Sequence, residues 1–529
     1  MEFVSILDKN RGEQKQGAEE FLTQPLYFDD LNLTQIVDKI RSLRSDYDLK
    51  RYFYILPKDC DEIKYRQEIL EDFFRENIFD GADEFSAGLY KARRYFEYAV
   101  KSESPMQAKR WKIDAAYSYI NAVKRFAECM ENSDVNSEGM RALKEYLNNK
   151  VSDETFIRFS KATKMLMEKM SAIEFTLEIE RNSINVKAGR SKEDYMAKVR
   201  GLLSGGHSGE GADTDGAGKN VSAEIKRYFA SPLTGVLKLS RLEDRVIQVL
   251  QKEYPDAFAE LEEYNLRYGN FFDGVLVRLE QEMQFYMAFV LFRRTLSEYD
   301  FPFCRPAVGK AGTAGFRLTE AYDLALALKN APLAVPVVRN SVEYRDRERF
   351  LVITGPNQGG KTTFARAVGQ AVYFSMLGLN APAASVSIPV FDGILTHFEV
   401  EESLDTGTGK LKEELNRLKP MMESESSRSF VVINELFTTA ASYDAYIMGS
   451  HVLKHFIAAD YYGIYVTHIK ELARESEQVA SLVAGLDERD NKTRTYKIER
   501  RQAEGTGHAG TLVDKYGLNY DEIKERLGR

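Results

Sequence analysis

Between about residues 31 and 300 the hydrophobic positions recur with the period of an α-helix. In the clearest stretches the apolar side chains stand three or four positions apart, which places them on one face of a helix. These stretches are Asp61–Phe74, Trp111–Met130, Asp153–Ile173 and Leu242–Glu253. Long amphipathic helices of this kind predict an extended arm or a helical bundle.

Two segments interrupt the helical period. Residues 175–186 alternate apolar and polar side chains, which predicts a β-hairpin with Arg181–Ser183 at its turn. Residues 201–218 hold seven glycines, little bulk and a net acidic balance, which predicts a mobile loop. Because the helical period resumes afterwards, we expect this loop, taken as residues 201–219, at the tip of an out-and-back arm.

After about Phe301 the pattern changes to short strand-like runs that alternate with helices. Alternation of this kind predicts an α/β arrangement around a sheet. The runs are Leu333–Val338, Phe350–Thr354, Gly393–Val400, Phe430–Asn434, Gly463–Thr467 and Thr493–Arg500. The last stretch, Asp514–Leu527, predicts short helices.

The composition is that of a globular cytoplasmic protein with no membrane contact. The chain has 529 residues, 43 % hydrophobic and 29 % charged, which is ample for packed cores in several domains. A net charge of −8 and a pI near 5.6 do not indicate nucleic-acid binding, although local basic stripes can still serve. Three scattered cysteines exclude a disulfide framework. The longest apolar run, Phe285–Phe292, is too short for a membrane span, and the N-terminus has no signal-peptide core.

The candidate chemistry begins at residues 350–364, which read FLVITGPNQGGKTTF. A strand, a glycine-rich turn and a helix start form a phosphate-binding loop, with Gly355, Gly360, Lys361 and Thr362 at the spacing of its motif. Glycines let backbone N–H groups converge on phosphate oxygens, and the helix N-terminus adds a partial positive charge. Lys361 then reaches the terminal phosphates, and the Thr362 hydroxyl binds Mg²⁺. We predict that the chain binds a nucleoside triphosphate.

Three further segments carry polar groups suited to that chemistry. Glu435 follows an apolar strand, at the end where α/β sheets place ligands, and can orient or deprotonate an attacking water. His468 follows a later strand and can sense the terminal phosphate. The backbone N–H groups of Gly407 and Gly409 open an amphipathic helix and can cradle a phosphate that belongs to a second subunit.

These segments together resemble the ATPase domain of the MutS family, a relative of the ABC ATPases. Thr467–Leu472 is similar to the family's THxxEL switch segment, Ser442–Asp444 to part of its dimer loop, and Asn340 to its adenine-contacting asparagine. The phosphate-binding loop is similar to the family's GPNxxGK(S/T)T, through Gly355, Pro356, Asn357, Gln358, Gly359, Gly360, Lys361, Thr362 and Thr363. The resemblance is strong over about residues 300–515 and weaker over the helical arm.

The resemblance implies an α+β multidomain fold. A long helical lever and clamp arm precedes an ABC-type P-loop α/β ATPase domain, which ends in a small helical dimerisation element. The predicted parts are an N-terminal segment, a helical core and lever with a reduced clamp, the ATPase domain and a C-terminal helical element, with boundaries at residues 1–30, 31–300, 301–505 and 506–529.

The resemblance also implies a homodimer with two composite sites for ATP and Mg²⁺. Glu435, His468 and Lys361 are then catalytic, and Thr362 and Asn434 hold the metal. Each ATP lies on one subunit's loop and is closed by the other subunit's signature helix. Binding and hydrolysis of ATP then control how the dimer clamps on mismatched, branched or otherwise non-B-form DNA, independently of the DNA sequence. The implied process is DNA repair or a related one, and its downstream proteins stay undetermined.

Four features depart from the family pattern. The segment after Glu435, LFTTAA, replaces the family's GRGTS-like run, so we expect communication between the two sites to differ. Asn434 stands where the family usually has Asp, so a hydrogen-bond acceptor is kept without its negative charge, and we expect metal binding to weaken by ~1 kcal/mol. Gly409 stands at the signature serine, where Thr406 or Thr408 can supply the hydroxyl. The Phe-x-Glu wedge of mismatch readers occurs only by accident inside helical patterns. We therefore expect a short member without the mismatch-reading domain or an Smr tail.

Basic residues on the helical arm are the candidates for DNA contact. Three recur along one helix face and three follow the hairpin: Arg158, Lys161, Lys164, Lys187, Arg190 and Lys192. Each phosphate contact would make binding more sensitive to salt. A solvated helix face explains any one of these residues equally well.

Two alternative functions remain open from the sequence. An ABC-type mechanical ATPase that acts on a protein partner fits the acidic pI near 5.6. A nucleotide-binding structural protein with little turnover fits Asn434 and Gly409.

Overall fold

The architecture is that of a computed structural model. It describes residues 5–9, 23–173, 175–180, 183–188, 241–310, 315–399, 409–424, 428–474, 476–486 and 494–502. The predicted loop at 201–219 and the predicted C-terminal element at 506–529 lie outside these ranges. The described residues form two compact units, one within residues 75–136 and 140–280 and the other within residues 4–74, 137–139 and 281–529. The sequence-based domain boundaries stay predictions.

The amphipathic stretches are confirmed as helices whose ends differ by a few residues from the predicted ones. Polar caps mark their starts: the Ser104 hydroxyl accepts from Gln107 N, and the Asp153 carboxylate accepts from Thr155 N and Phe156 N. No helix in the described ranges is long and apolar enough to cross a membrane. The helices are α1 Tyr27–Asp30, α2 Leu33–Ser42, α3 Lys50–Tyr54, α4 Cys60–Phe73, α5 Glu76–Lys101, α6 Pro105–Glu131, α7 Glu138–Ser152, α8 Glu154–Ser171, α9 Arg241–Glu253, α10 Pro255–Tyr268, α11 Gly274–Thr295, α12 Leu324–Asn330, α13 Lys361–Leu377, α14 Lys410–Met422 and α15 Ser442–Ala458.

The strands form three sheets in the described ranges, so the protein is a mixed α+β structure. A two-stranded hairpin pairs β1 with β2, a six-stranded sheet has the order β12-β11-β6-β10-β9-β8, and a four-stranded sheet has the order β3-β7-β4-β5. The strands are β1 Phe175–Glu180, β2 Ser183–Ala188, β3 Ala307–Gly309, β4 Arg317–Ala321, β5 Asn340–Glu343, β6 Phe350–Thr354, β7 Ser385–Pro389, β8 Gly393–His397, β9 Ser429–Asn434, β10 Tyr462–Val466, β11 Val479–Leu486 and β12 Arg494–Arg500.

In the first unit, α5 and α6 approach each other closely along small residues. A Cβ added at Gly88 would lie 2.6 Å from the Cβ of Ala122, and one added at Gly81 would lie 2.3 Å from the Cys129 sulfur. Because the contact moves backward along α6 as it moves forward along α5, the two helices are antiparallel. Larger side chains at these two glycines would push the helices apart.

The hairpin is also in the first unit. Where the sequence predicted it over residues 175–186, β1 and β2 pair antiparallel with Glu180 opposite Ser183. That register leaves residues 181 and 182 for the connection, and both lie outside the described ranges.

In the second unit, the six-stranded sheet holds a buried parallel core. β11, β6, β10, β9 and β8 run parallel, and β12 pairs antiparallel with β11 at the edge. Every residue of β6 and of β9 is buried, as expected for strands covered on both faces. The carboxyl ends of these strands therefore meet along one edge, where ligands of α/β sheets bind.

The N-terminal helices of the second unit hold α13 in place. The Tyr373 hydroxyl donates to Phe53 O at 2.8 Å, and the Gln370 amide donates to Leu31 O at 2.8 Å. Gly369 lies so close to the Leu31 side chain that an added Cβ would come within 2.6 Å of it. The helix that follows the phosphate-binding turn is thus fixed over its length by chain segments more than three hundred residues earlier.

One predicted strand is wrong. Residues 333–338 were expected as a strand, but Ala331–Leu333 form a 3-10 turn and the first paired residue is Asn340. Pro332 and Pro336 lack the N–H donor that a sheet ladder needs, which explains why the segment stays unpaired.

A histidine is buried in the six-stranded sheet. His397 at the end of β8 is fully buried. Its pKa is lowered to about 4, first by burial and second by the nearby positive charge of Arg417. The imidazole is therefore neutral in the folded protein at pH 5, whereas the unfolded chain, with a histidine pKa near 6.5, binds a proton there.

Acidification is expected to destabilise the fold through His397. The unfolded chain gains the proton first, so stability is complete above about pH 6.5 and falls as the pH drops toward 4, by about 2 kcal/mol between pH 7.5 and 5. His397→Leu should remove this part of the acid dependence of the urea unfolding free energy, while His451→Gln, at an exposed position, should keep it. Equal acid dependence in all three proteins would contradict the assignment.

Candidate nucleotide-binding site

The phosphate-binding turn has the backbone that its sequence predicts. Gly355 has φ +127° and Gly360 has φ +87°, a region that favours glycine, and Gln358 between them has φ +59°. A Cβ at Gly355 would also lie 3.0 Å from the Ala484 side chain on β11. The turn therefore requires glycine at these two positions, and it leads from buried β6 directly into α13.

Lys361, the first residue of α13, lies folded back over the turn. Its ammonium group donates to Gly355 O at 3.0 Å and to Pro356 O at 3.1 Å, and the residue is buried. Burial lowers the pKa of Lys361, and the negative charge of Glu435 acts in the opposite direction. Its hydrogen bonds to described residues thus go to neutral carbonyl groups, and a buried cation in this state is well suited to an anionic ligand.

One cavity of about 600 Å³ opens beside the turn. It brings together most of the residues that the sequence assigned to nucleotide binding. Those that line it are Asn340, Asn357, Gln358, Gly359, Gly360, Lys361, Thr362, Thr363 and Glu435.

The two residues assigned to the metal are in contact. The Thr362 hydroxyl at the start of α13 donates to the Asn434 side-chain oxygen at the end of β9, at 2.8 Å. Both oxygens are ligand types that Mg²⁺ accepts, directly or through water. In the described ranges no cluster of three or more His, Cys, Asp and Glu side chains can hold a metal ion. A Mg²⁺ ion would fit here only with oxygens from phosphate and water completing its shell.

Glu435 and His468, both assigned to catalysis from the sequence, are also paired. His468 Nε2 lies 3.1 Å from a Glu435 carboxylate oxygen, and Glu435 N donates to Val466 O at 2.9 Å. The hydrogen bond with His468 lowers the pKa of Glu435; burial opposes this, and the charges of His468 and Lys361 add to the lowering. Glu435 is therefore ionised at neutral pH, in the state that accepts a proton.

Asn340 has a different environment from the one its sequence position suggested. Its side-chain nitrogen donates to Tyr496 O at 3.0 Å, and its side-chain oxygen accepts from Ile498 N at 2.8 Å. Both polar atoms of the amide are thus used to hold β12 against β5. An adenine contact by Asn340 stays a prediction, and in this arrangement the amide serves the backbone.

Of the two glycines expected to act on a second subunit, Gly409 is described, and it does not line the cavity. Gly407 is outside the described ranges. Gly409 is the exposed residue that precedes α14, a Cβ added there would meet no atom within 4 Å, and it is absent from the cavity lining. The N-terminus of α14 is therefore open to an external group.

Sequence reasoning missed the contribution of β12. Tyr496 has φ +55°, lines the cavity and lies against Gly360, where an added Cβ would be 3.4 Å from its ring. Arg494 Nε donates to Asn357 O at 3.2 Å, so the same strand also holds the turn. A tyrosine in a strand rich in charged residues was the available signal, but only the pairing of β12 with β11 brings it to the site.

The chain is similar to known families over both halves. The family model MutS domain V matches residues 351–516, and the model MutS2 N-terminal domain matches residues 58–299. DNA mismatch repair protein msh-2 of Neurospora crassa is 26 % identical over 39 % of this chain and 22 % of that protein.

Two other relatives show the same level of similarity. DNA mismatch repair protein MutS of Lactococcus lactis subsp. lactis is 28 % identical over 36 % of this chain and 24 % of that protein. DNA mismatch repair protein MSH4 of Arabidopsis thaliana is 28 % identical over 39 % of this chain and 26 % of that protein. The match thus spans about a quarter of the length of these curated relatives.

Replacement of Asn340 should destabilise the fold before it affects any ligand. Asn340→Ala removes two hydrogen bonds and leaves two backbone groups of β12 without partners, so we expect a loss of about 2 kcal/mol in the unfolding free energy. Urea unfolding measures it. Asn330→Ala, on the lining of the same cavity, is the matched control and should change stability by less than about 0.5 kcal/mol. Equal stability of the two variants would argue against a structural role for the Asn340 amide.

Proposed function

Because the chain belongs to the MutS family, we propose that it is a homodimeric ATPase that binds DNA. One observation carries the proposal. A buried ammonium, a hydroxyl–amide pair and a carboxylate–imidazole pair meet where the strands of one sheet end, in Lys361, Thr362, Asn434, Glu435 and His468. Hydrolysis of a phosphoanhydride needs a cation, metal ligands and a base, and these residues supply all three.

The residues of the turn and of α13 are proposed to hold ATP and Mg²⁺. The backbone N–H groups at the start of α13, residues 360–362, would face the phosphates, and Lys361 would exchange its two carbonyl partners for phosphate oxygens. Thr362 and Asn434 hold the metal, which neutralises phosphate charge when bound. Tyr496 supplies an aromatic face in the same cavity, suited to stacking on the base.

Glu435 and His468 are proposed to carry the proton chemistry. Glu435 is ionised and accepts the proton of the attacking water. His468 orients the Glu435 carboxylate at 3.1 Å and lies close enough to the site to respond to the terminal phosphate. Asn434 lacks the charge of an aspartate, and we propose that hydrolysis is slower for this reason but is retained.

A homodimer is proposed because Gly409, which the sequence assigned to nucleotide binding, is exposed and does not line the cavity. The exposed start of α14 at Gly409, with Gly407, would close over the nucleotide of a second copy. Tyr443 and Ile447 at the start of α15 are exposed, at 72 % and 37 %, and provide apolar surface for the contact. ATP would then hold two copies together until hydrolysis releases them.

DNA binding is proposed for the helical arm, which would act as lever and clamp on mismatched, branched or other non-B-form DNA. The basic stripe on α8 is partly neutralised within the helix: Arg158 pairs with Glu154 at 2.6 Å, and Lys164 lies 3.9 Å from Glu168. Lys161 lies between them on the same helix. The side chains of Lys187, Arg190 and Lys192 lie outside what the structure describes, so their role stays a prediction.

The ATPase proposal predicts a separation of binding from turnover. Lys361→Ala should weaken ATP binding at least tenfold, because a buried charge on the phosphates is lost. Glu435→Gln should keep binding and lower kcat by about 10² or more. Steady-state hydrolysis and nucleotide-binding titration measure both, with Glu477→Gln, at an exposed position, as the control. Equal turnover in Glu435→Gln and Glu477→Gln would exclude Glu435 as the base.

The dimer and the DNA interaction are tested with the slow variant. Glu435→Gln with saturating ATP and Mg²⁺ should sediment as a dimer and return to a monomer when nucleotide is removed. Mobility shifts over duplex, mismatch, junction and flap DNA should show binding that weakens steeply with salt. A monomer under saturating nucleotide, or the absence of salt-sensitive binding to every DNA, would reject the corresponding part of the proposal.

A further inference from the structure

Glu414 is a carboxylic acid in an apolar core. It lies on α14 and is fully buried, and its hydrogen-bond partner Phe437 belongs to a hydrophobic cluster with Leu418, Leu436 and Tyr465. Burial raises its pKa, a hydrogen bond from Phe437 N lowers it, and the charge of Lys410 lowers it as well. Acidic side chains are rarely enclosed in this way without a specific partner.

The partner of Glu414 is the backbone of the turn that follows Glu435. Phe437 N donates to one carboxyl oxygen of Glu414 at 3.2 Å. The other carboxyl oxygen has no hydrogen-bond partner within the described ranges. Among the described residues the side chain therefore makes one hydrogen bond, and it is with a main-chain group two residues after Glu435.

That turn has an unusual backbone. Glu435 has φ +58° and Phe437 has φ +60°, in the left-handed region that side-chain-bearing residues rarely adopt. Glu435 N is fixed by Val466 O at 2.9 Å on one side, and Phe437 N is fixed by Glu414 on the other. A strained turn of this kind persists only when its surroundings hold it.

We propose that Glu414 is a positioning residue for Glu435. By holding Phe437 N–H, it fixes the turn from which the Glu435 carboxylate reaches His468. The inference rests on the proposed function, in which Gly409 at the start of α14 meets the nucleotide of a second copy. Helix α14 begins directly after Gly409 and carries Glu414 five residues further along. This helix then connects the nucleotide of the second copy to Glu435, the general base of this chain's own site. Closure of one site therefore orders the other.

Three substitutions separate positioning from bulk packing. Glu414→Gln keeps an acceptor oxygen for Phe437 N, Glu414→Met removes the acceptor at similar volume, and Glu413→Met changes the preceding carboxylate, which the structure does not place near Phe437. We expect Glu414→Met to lower kcat for ATP about tenfold or more, with KM changed less than about threefold. Glu414→Gln should retain most of the wild-type kcat, and Glu413→Met should equal the wild type.

A second measurement tests the contact between Glu414 and Phe437 N without measuring turnover. Amide hydrogen exchange at Phe437 should be slow in the wild type and in Glu414→Gln, and should become faster in Glu414→Met while the preceding strand β9 stays protected. Loss of protection throughout the sheet would mean that Glu414 only supports the fold, and would overturn the proposal. An equal loss of kcat in Glu414→Gln and Glu414→Met, or a loss confined to KM, would also overturn it.

The two proposals fail in different ways. If the wild type does not hydrolyse ATP, the proposed function and the positioning role fall together. If the wild type turns over and Glu414→Met turns over equally well, the positioning role alone is rejected.

Discussion

The parallel register of three buried strands is the constraint on which the site depends. Ile353 of β6 lies opposite Val466 of β10, which in turn lies opposite Asn434 of β9. The next residues along these strands therefore emerge at one edge, and Thr467 N donates to Ile353 O across it at 3.0 Å. A slip of one residue in either pair would move Glu435 or His468 to the other face of the sheet.

Three ionisable groups near this edge of the sheet, Lys361, Glu435 and Glu414, each have a specific polar contact. Within the part of the chain that the structure describes, Lys361 is buried and bonded to neutral carbonyl groups, which keeps its charge available for a ligand. Glu435 is kept ionised by the hydrogen bond with His468. Glu414 is enclosed among apolar side chains and bonded to a main-chain N–H. Each group is expensive to bury, and each has a polar contact that offsets part of this cost.

Edge strand β12 gives the site its outer wall, and this wall is held by contacts distant in sequence. Asn340 bonds two main-chain groups of β12, and Arg494 bonds the phosphate-binding turn. The cavity beside the turn is therefore bounded by a strand that comes more than one hundred and thirty residues after the turn itself. The same sheet that positions the chemistry also shapes the space for a ligand.

The sequence by itself determined the local features. Helical period predicted the long helices, apolar runs predicted β6, β9 and β10, and the glycine spacing predicted a turn that only positive φ angles allow. These signals are readable because each depends on residues close together in the chain. The predicted strand at residues 333–338 was wrong because an apolar run shows that a segment can be buried but does not show whether it finds a partner.

Only the tertiary structure decided which distant groups meet. The contact of Thr362 with Asn434, the use of Asn340 by β12, the position of Tyr496 and the contact of Glu414 with Phe437 all follow from strand order and helix packing. No local sequence pattern encodes these contacts, because a residue type is the same whether its neighbour in space is a ligand, a backbone amide or water. Register and packing settle that choice, since they are set by the burial of the whole sheet at once.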